Sequence, residues 1–307
     1  MSSDRRDRRD RRPPATADSP RLVSPDLDRA RRGGARLLQI WRYRELLVTL
    51  VHKELKVKYK NSALGFFWSL LNPALYLVVF YIVFQYFLPS GIPFFAIFLL
   101  SGLLPWNLYS TSVSGATASI VANSALVKKV WFPREVLALA SVGAAIVHFF
   151  LQMIVLVLAL GIFQFAPSPK YALLLVPALL TMILLASALG IALAAANVYL
   201  RDTQHLLELL LLAWFWMTPI VYPFSSVAER LGSSRWLYLL NPVTPIVIAF
   251  QRAIFNKTSA SGLEILPDES LLWYLRNLGV VALVSVALLV GALALFNRLE
   301  GDFAEEL

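Results

Sequence analysis

The chain has 307 residues, of which 58% are hydrophobic and only 15% are charged, and its mean hydropathy is +0.65. Soluble domains carry roughly 45–50% apolar and about 25% charged residues, so this composition excludes an ordinary soluble fold and indicates a polytopic membrane protein. The net charge of +9 arises at one end, because residues 1–63 hold 17 basic and 8 acidic side chains and the remainder has 11 of each. The sequence contains no cysteine, which excludes disulfides and thiolate metal sites.

Residues 1–36 form a low-complexity segment rich in Arg, Asp and Pro, which cannot bury enough apolar surface to fold. We expect a disordered cytoplasmic tail, with binding to anionic lipid headgroups as the functional alternative. In residues 37–63, apolar side chains share one helical face while Lys53, Lys56 and Lys60 share another. This pattern predicts an amphipathic helix in the membrane interface whose lysines reach lipid phosphates; a passive anchor is the alternative.

The apolar part of the sequence predicts an all-α fold with six transmembrane helices. Between Lys60 and Lys128 lie 67 residues without a charged side chain or a histidine, which is enough for two spans of about 20 residues each. Pro and Gly residues near position 91 predict the turn between these two spans. One transmembrane domain at 64–297 is predicted, followed by a short cytoplasmic tail at 298–307. Its predicted spans are 66–88, 94–117, 136–163, 171–196, 206–222 and 273–297.

The distribution of basic residues predicts the orientation of these spans. With six spans both termini lie on one side, and the segments on that side carry 22 basic residues. The positive-inside rule therefore predicts a multi-pass protein of the bacterial plasma membrane with both termini in the cytoplasm. This interpretation replaces nucleic-acid binding, which a basic protein otherwise suggests.

The stretch 223–257, between the fifth and sixth predicted spans, is too long for a turn. Its second half is mostly apolar but is interrupted by prolines, and a charged residue there would be costly at the bilayer centre. We therefore expect two short re-entrant helices at the external surface that act as a gate over a pathway. The candidate gate residues are Pro223, Asn241, Pro242, Pro245 and Arg252.

Several kinds of active site are missing from the sequence. It has no G-x-x-x-x-G-K-[ST] motif, so it cannot bind ATP through a P-loop of its own. No Asp or Glu lies deep in a predicted span, although carriers driven by protons or sodium normally need one. His52, His148 and His205 lie in separate regions without metal-ligand spacing, and no paired carboxylates suit acid–base catalysis. We predict neither a catalytic nor a metal site, and a transport process that takes its energy from a partner.

Aromatic residues are concentrated in the first predicted span. Most of them suit lipid contact or the membrane–water interface, which is the simpler interpretation. Trp68, Tyr76 and Tyr81 combine a flat apolar face with a polar group, and such surfaces suit stacking on sugar rings. These three are our candidate channel-lining residues.

Four stretches together resemble the membrane subunits of polysaccharide-exporting ABC transporters, the ABC type 2 permeases that move O-antigen, teichoic acid or galactan precursors. They are residues 64–76, 125–142, 196–223 and 240–255. Each stretch alone is weak, but their order and their fit to six spans make the match specific. It covers roughly residues 40–297 and leaves out the Arg-rich tail.

The resemblance implies a homodimer joined to two copies of a separate ATP-binding subunit, which would hold ATP and Mg²⁺ while this chain binds no cofactor. In the family, the cytoplasmic loop after the second span docks on the ATPase. The residues of that loop here are Lys128, Lys129, Trp131, Phe132, Pro133 and Arg134. Lysines that merely fix orientation are the alternative. Arg201 and Asp202 lie in the other cytoplasmic loop, where we expect Asp202 first to cap a helix and the pair only secondarily to contact the ATPase.

The resemblance also implies the substrate and the path. We expect export of a polyprenyl-pyrophosphate-linked polysaccharide of O-antigen, teichoic acid or galactan type, gated by the amphipathic helix on the cytoplasmic side. Its lysines would meet the pyrophosphate, and membrane lipids would surround the protein. An ABC exporter of another lipid or drug-like substrate is the nearest alternative, and a membrane glycosyltransferase or flippase acting alone is the alternative from a different class.

Overall fold

The computed structural model describes residues 40–60, 62, 65, 67–260 and 263–307. The predicted tail at 1–36 lies outside these residues. The described chain forms helices and one short antiparallel ribbon, β1 (Ser259–Ala260) with β2 (Leu263–Glu264). The first helices are α1 (Arg44–Tyr59), α2 (Phe67–Ile82, extended by a π-helical turn at Val83–Phe87), α3 (Phe95–Ala122), α4 (Ser124–Lys129), α5 (Glu135–Ile162), α6 (Pro169–Ala172) and α7 (Leu175–Tyr199). The remaining ones are α8 (Thr203–Trp216), α9 (Ser225–Leu231), α10 (Val243–Ile254), α11 (Leu271–Leu299) and α12 (Phe303–Glu306), with 3₁₀ turns at Gly232–Leu240 and Glu300–Asp302.

Four helical stretches are long and apolar enough to cross a membrane: Phe67–Phe87, Glu135–Ile162, Pro169–Tyr199 and Leu271–Asp302. This agrees with the predicted all-α polytopic fold. The segments Ser225–Leu240 and Val243–Ile254 add a fifth crossing only if they are counted as one broken span, because they are bent by 102°.

The count of six spans stays a prediction, because two of the predicted spans are not both long and strongly apolar. Helix α3 has 28 residues, but polar side chains around Asn107 make it less apolar than α5 and α7. It lies inside the bundle, with 20 of its 28 residues buried. Helix α8 has 14 residues, so it is about 21 Å long, which is shorter than the bilayer core of about 30 Å.

The helices pack around α3, which contacts α5 and α7, while α7 also contacts α11. Small residues allow these close approaches, as is usual between membrane helices. Gly190 of α7 faces Ala116 of α3, and Gly115 of α3 faces Ser141 of α5. Helix α1 packs on α5, where a side chain on Gly143 would collide with Val51.

The segment expected to form a surface gate is partly a core element. The 102° bend falls at Asn241 and Pro242, where the Asn241 side chain accepts a hydrogen bond from the Val243 backbone N–H at 3.1 Å. Pro245 does not interrupt α10, because it lies in the first turn, where a backbone donor is not needed. All 12 residues of α10 are buried, and the helix packs against α3 and α7. Its apolar side chains explain this position, since a bilayer surface would leave them exposed to water.

Candidate substrate groove and coupling surface

A groove of about 510 Å³ lies between the end of α1 and helices α2, α3 and α5. Its lining mixes hydroxyl, amide and imidazole groups with aromatic rings, although three of the four elements are predicted to lie in the membrane. The lining residues are Lys58, Trp68, Ser69, Leu71, Leu75, Tyr76, Trp106, Asn107, Ser110, Thr111, His148 and Gln152. Two of them, Trp68 and Tyr76, are among the channel-lining residues predicted from the sequence.

Polar groups in this groove divide into a paired set and an unpaired set. Ser69 Oγ and His148 Nδ1 lie 3.1 Å apart and connect α2 to α5. The amide nitrogen of Asn107 and the amide oxygen of Gln152 are buried and find no hydrogen-bond partner within the described part of the chain. An unsatisfied buried donor or acceptor costs about 1–3 kcal/mol. Both atoms are occluded and do not face the open groove, but the amide side chains to which they belong line it, and amide groups suit a ligand that carries hydroxyl groups.

Aromatic rings supply the flat surfaces of the groove. Trp68 and Tyr76 are half exposed, whereas Trp106 is buried. The ring of Tyr76 stacks on Phe80 with 6.0 Å between centroids, which leaves its other face for a ligand. Tyr81 does not line the groove and instead makes an edge contact with Tyr86. Flat rings beside amides and hydroxyls are the chemistry that holds a carbohydrate.

The lysines of α1 differ in their surroundings. Lys53 Nζ donates a hydrogen bond to Asn123 Oδ1 at the junction of α3 and α4, and Lys56 and Lys60 are exposed. Lys58, which was not among the predicted entry residues, is also exposed but lines the groove, and partial burial there lowers its pKa below the usual 10.5. Helical spacing indicates this position. Lys58 follows Val51 by seven residues, or about two turns, so both lie on the face of α1 that packs against α5.

The loop predicted to dock on the ATPase has an exposed part and a buried part. Lys128, Lys129 and Trp131 are exposed, and Trp131 exposes 72% of its surface. Phe132 and Pro133 are buried beneath them. These three exposed residues form what we call the coupling surface, a basic and apolar patch that suits contact with another protein.

Arg134 belongs to the packed part of this loop. Its Nη1 donates a hydrogen bond to the carbonyl of Glu300, and its guanidinium lies 5.6 Å from the centre of the Phe303 ring. The residues at 298–307, expected to form a simple tail, are therefore packed against the bundle, and Phe303 is fully buried. The segment packs because burying the apolar ring of Phe303 is more favourable than leaving it in water.

Arg201 and Asp202 are both exposed in the turn between α7 and α8. Asp202 stands at the N-cap position of α8, as expected, but its side chain makes no capping hydrogen bond, which leaves only the interaction of its charge with the helix dipole. Its backbone is helical, with φ −67° and ψ −15°, whereas a capping side chain normally requires an extended backbone.

Among the expected gate residues, Arg252 is buried and contacts an aromatic ring, a backbone carbonyl and a carboxylate. Its side chain is only 7% exposed, and its guanidinium lies 4.1 Å from the centre of the Tyr171 ring. Its Nη1 donates to the Asn256 carbonyl at 3.1 Å, and its Nη2 lies 3.5 Å from Asp268 Oδ1. Pro223 is buried just before α9.

Comparison with known proteins identifies the family to which this sequence is similar. Residues 45–255 match the family described as ABC-2 type transporter. The chain is similar to the O-antigen export system permease protein RfbA of Myxococcus xanthus, at 37% identity over 88% of this chain and 98% of that protein. It is also similar to the O-antigen export system permease protein RfbA of Klebsiella pneumoniae, at 28% identity over 85% and 94% of the two chains.

A further relative is the polysialic acid transport protein KpsM of Escherichia coli, at 22% identity over 69% of this chain and 82% of that protein. The family match covers most of the described helices, including those that form the groove and the coupling surface. The resemblance read from the sequence is thereby confirmed. This chain is a multi-pass membrane protein that belongs to the ABC-2 type transporter family.

Proposed function

We propose that this protein is the permease subunit of an ATP-driven exporter that moves a polyprenyl-pyrophosphate-linked polysaccharide across the bacterial plasma membrane for cell-envelope assembly. The observation that carries the proposal is the groove, where the faces of Trp68 and Tyr76 lie beside the unpaired amides of Asn107 and Gln152. Amide side chains that line a groove suit sugar hydroxyls better than an apolar drug, which offers them no hydrogen bond. The relatives support a glycan, since they are named for O-antigen export and for polysialic acid transport.

The energy source in this proposal is a separate ATP-binding subunit. The chain has no P-loop sequence, and permeases of the ABC-2 type work with an ATP-binding partner. Two permease chains and two ATP-binding subunits would form the complete exporter, with ATP and Mg²⁺ held by the partner. The partner would dock on the coupling surface of Lys128, Lys129 and Trp131, which is exposed and basic.

The proposed topology has six spans with both termini in the cytoplasm. They are α2, α3, α5, α6 with α7, α8 with the residues that follow it, and α11. A span need not be strongly apolar when other helices surround it, and α3 is buried in this way. The region 223–257 would then lie on the external side, where α10 closes the path from within the bundle.

The direct test is reconstitution in proteoliposomes with the ATP-binding subunit that co-purifies with the permease. The substrate is a short polyprenyl-pyrophosphate-linked oligosaccharide, and its translocation is measured by the access of a lectin. The same polyprenyl phosphate without sugar is the control substrate. We expect ATP-dependent movement of the glycolipid, and equal movement of the sugar-free lipid would contradict a glycan exporter.

Two matched substitutions test the groove itself. Tyr76 lines the groove and Tyr81, five residues later on the same helix, does not. Replacing Tyr76 with Leu should reduce translocation, since it removes the flat aromatic face on which a sugar ring would stack. Replacing Tyr81 with Leu should leave translocation unchanged. Equal effects of the two changes would remove the groove from the substrate path.

A further inference from the structure

Residues at 299–307 connect the coupling surface to two membrane helices. Phe303 is fully buried, with its ring 5.3 Å from the Phe296 ring of α11 and 6.0 Å from the Tyr199 ring of α7. The same apolar cluster contains Val127 of α4 and Phe132 of the loop after it. Phe303 is therefore an anchor shared by α4, α7 and α11.

Two polar contacts close this connection. Arg134 donates to the carbonyl of Glu300 just beyond α11 and places its guanidinium near Phe303. The Tyr199 hydroxyl donates to the carbonyl of Leu299 at 2.8 Å. Tyr199 thereby satisfies the carbonyl of the last residue of α11, which a helix terminus leaves without an intrahelical partner. Arg134 adds a second hydrogen bond to the Glu300 carbonyl, which also accepts from the Phe303 N–H, and its cation suits the negative end of the helix dipole.

Helix α4 needs such a support. It has six residues, and a helix this short is not stable alone because too few hydrogen bonds offset the cost of nucleation. Its neighbour α12 lies against it, and Val127 is buried in the cluster that Phe303 belongs to. The exposed side chains of Lys128 and Lys129 therefore depend on this packing for their direction.

We infer that residues 299–307 form a brace that positions the coupling surface, with Arg134 and Phe303 acting together as positioning residues. The inference rests on the proposed function and changes the expected role of Arg134. Arg134 holds the loop from within, while Lys128, Lys129 and Trp131 make the contact with the ATP-binding subunit. Since the brace ends on α7 and α11, it also links movement of the docked subunit to two membrane helices.

The test is a double-mutant cycle on binding to the co-purifying ATP-binding subunit, measured as Kd in detergent solution, together with the ratio of glycolipid moved to ATP hydrolysed. Phe303→Ala and Arg134→Ala should each weaken binding about tenfold, and the double variant should be no more than about twofold worse than either, because the two residues act as one unit. Phe303→Leu should restore most of the affinity, since it refills the apolar site. Trp131→Ala should weaken binding through direct contact.

The matched control is Phe98→Ala, which removes another fully buried phenylalanine from the separate cluster around α10. It should lower the melting temperature as Phe303→Ala does and leave the Kd unchanged. Equal losses of affinity in Phe98→Ala and Phe303→Ala would show a global effect and overturn the brace.

Two other results would also overturn it. One is a double variant whose loss equals the product of the two single losses. The other is normal binding by Phe303→Ala and Arg134→Ala while Trp131→Ala binds weakly, which would leave the proposed function intact. Failure of the wild-type permease to bind any ATP-binding subunit would instead contradict the proposed function itself.

Discussion

The contact between Gly190 and Ala116 predicts how closely the central helices must pack. A Cβ added to Gly190 of α7 would lie 2.6 Å from the Cβ of Ala116 on α3. Ordinary contacts between carbon atoms begin near 3.4 Å, so Gly190→Ala requires the helices to separate by about 0.8 Å. Ala116 has no rotamer that could relieve the overlap, and the movement therefore falls on the backbone.

The expected loss of stability follows from this geometry. Overpacking of a core costs about 1–3 kcal/mol, and the upper end applies where only backbone can move. Replacing glycine with alanine in a helix returns about 1 kcal/mol, which leaves a net loss of about 2 kcal/mol. Each kcal/mol lowers the melting temperature by about 2–4 °C in chains of 150–250 residues. Gly190→Ala should therefore melt about 4–8 °C below the wild type.

The assay is thermal denaturation of the permease in detergent, followed by the loss of the monodisperse peak in size-exclusion chromatography. The exchanged pair Gly190→Ala with Ala116→Gly should melt close to the wild type, because it restores the space and keeps one glycine in the contact. Gly291→Ala on α11 is the control, since a Cβ there meets nothing within 4 Å. A single variant as stable as the wild type, or an exchanged pair as unstable as the single variant, would refute the packing.

Two predictions concern the face that we propose to be external. Arg252→Met should lower the melting temperature by about 4–8 °C, because a desolvated cation over an aromatic ring contributes about 2 kcal/mol. Asp268→Asn should change it little, since Asp268 is 78% exposed and surface ion pairs contribute about 0–1 kcal/mol. Equal shifts in the same melting assay would contradict this. A cysteine replacing Ser259 in this cysteine-free chain should react with a membrane-impermeant maleimide on intact cells, and one replacing Ala125 should react only after permeabilisation; the reverse pattern would invert the topology.

The long apolar helices could be predicted from the sequence, because charge and proline mark their ends. The predicted span 136–163 corresponds to the observed helix Glu135–Ile162, which begins directly after Pro133 and Arg134. Helix α10 was harder, since its 12 residues are too few for a span and apolar enough for the core. Length and hydropathy do not distinguish a lid from a buried re-entrant helix, and only the surrounding helices decide between them.

The groove could be predicted only in part. Asn107 and Gln152 carry a signal, because polar side chains inside apolar helices are costly and are usually functional. They lie on α3 and α5, however, and only the packing of these helices shows that they face the same space as Trp68 and Tyr76. The aromatic side chains of α2 were selected by chemistry, and the structure separates Tyr81 from the other two by the side of the helix on which it lies.

Residues at 298–307 illustrate a different limit. Acidic side chains dominate this segment, so its composition indicates a solvated tail. Phe303 is the exception, and a single aromatic residue does not show in sequence whether a partner surface is present. That surface is built by Tyr199, Phe296 and Arg134, which come from three distant parts of the chain.

The last prediction separates two lysines of α1 that sequence alone treats alike. Both lysines are exposed at the surface, but Lys58 lines the groove and is partly desolvated there, whereas Lys56 does not line it. Burial lowers the pKa of Lys58 from 10.5, so folding disfavours its charged form, and this cost is present at neutral pH and disappears only as the pH rises towards 10.5. Lys58→Met should therefore melt at the same or a higher temperature at pH 7, with the difference from the wild type vanishing at high pH.

The same substitution should weaken binding of the glycolipid, because a lysine retained at such a cost suits an anionic ligand. In detergent solution Lys58→Met should bind the polyprenyl-pyrophosphate-linked oligosaccharide about tenfold more weakly, since a hydrogen bond to a charged group contributes about 1.5–3 kcal/mol. Its affinity for the same oligosaccharide on an uncharged lipid should not change, and Lys56→Met should behave as the wild type towards both. If Lys58→Met binds both ligands normally, Lys58 only extends its charged end to the membrane surface, and the pyrophosphate must be held elsewhere.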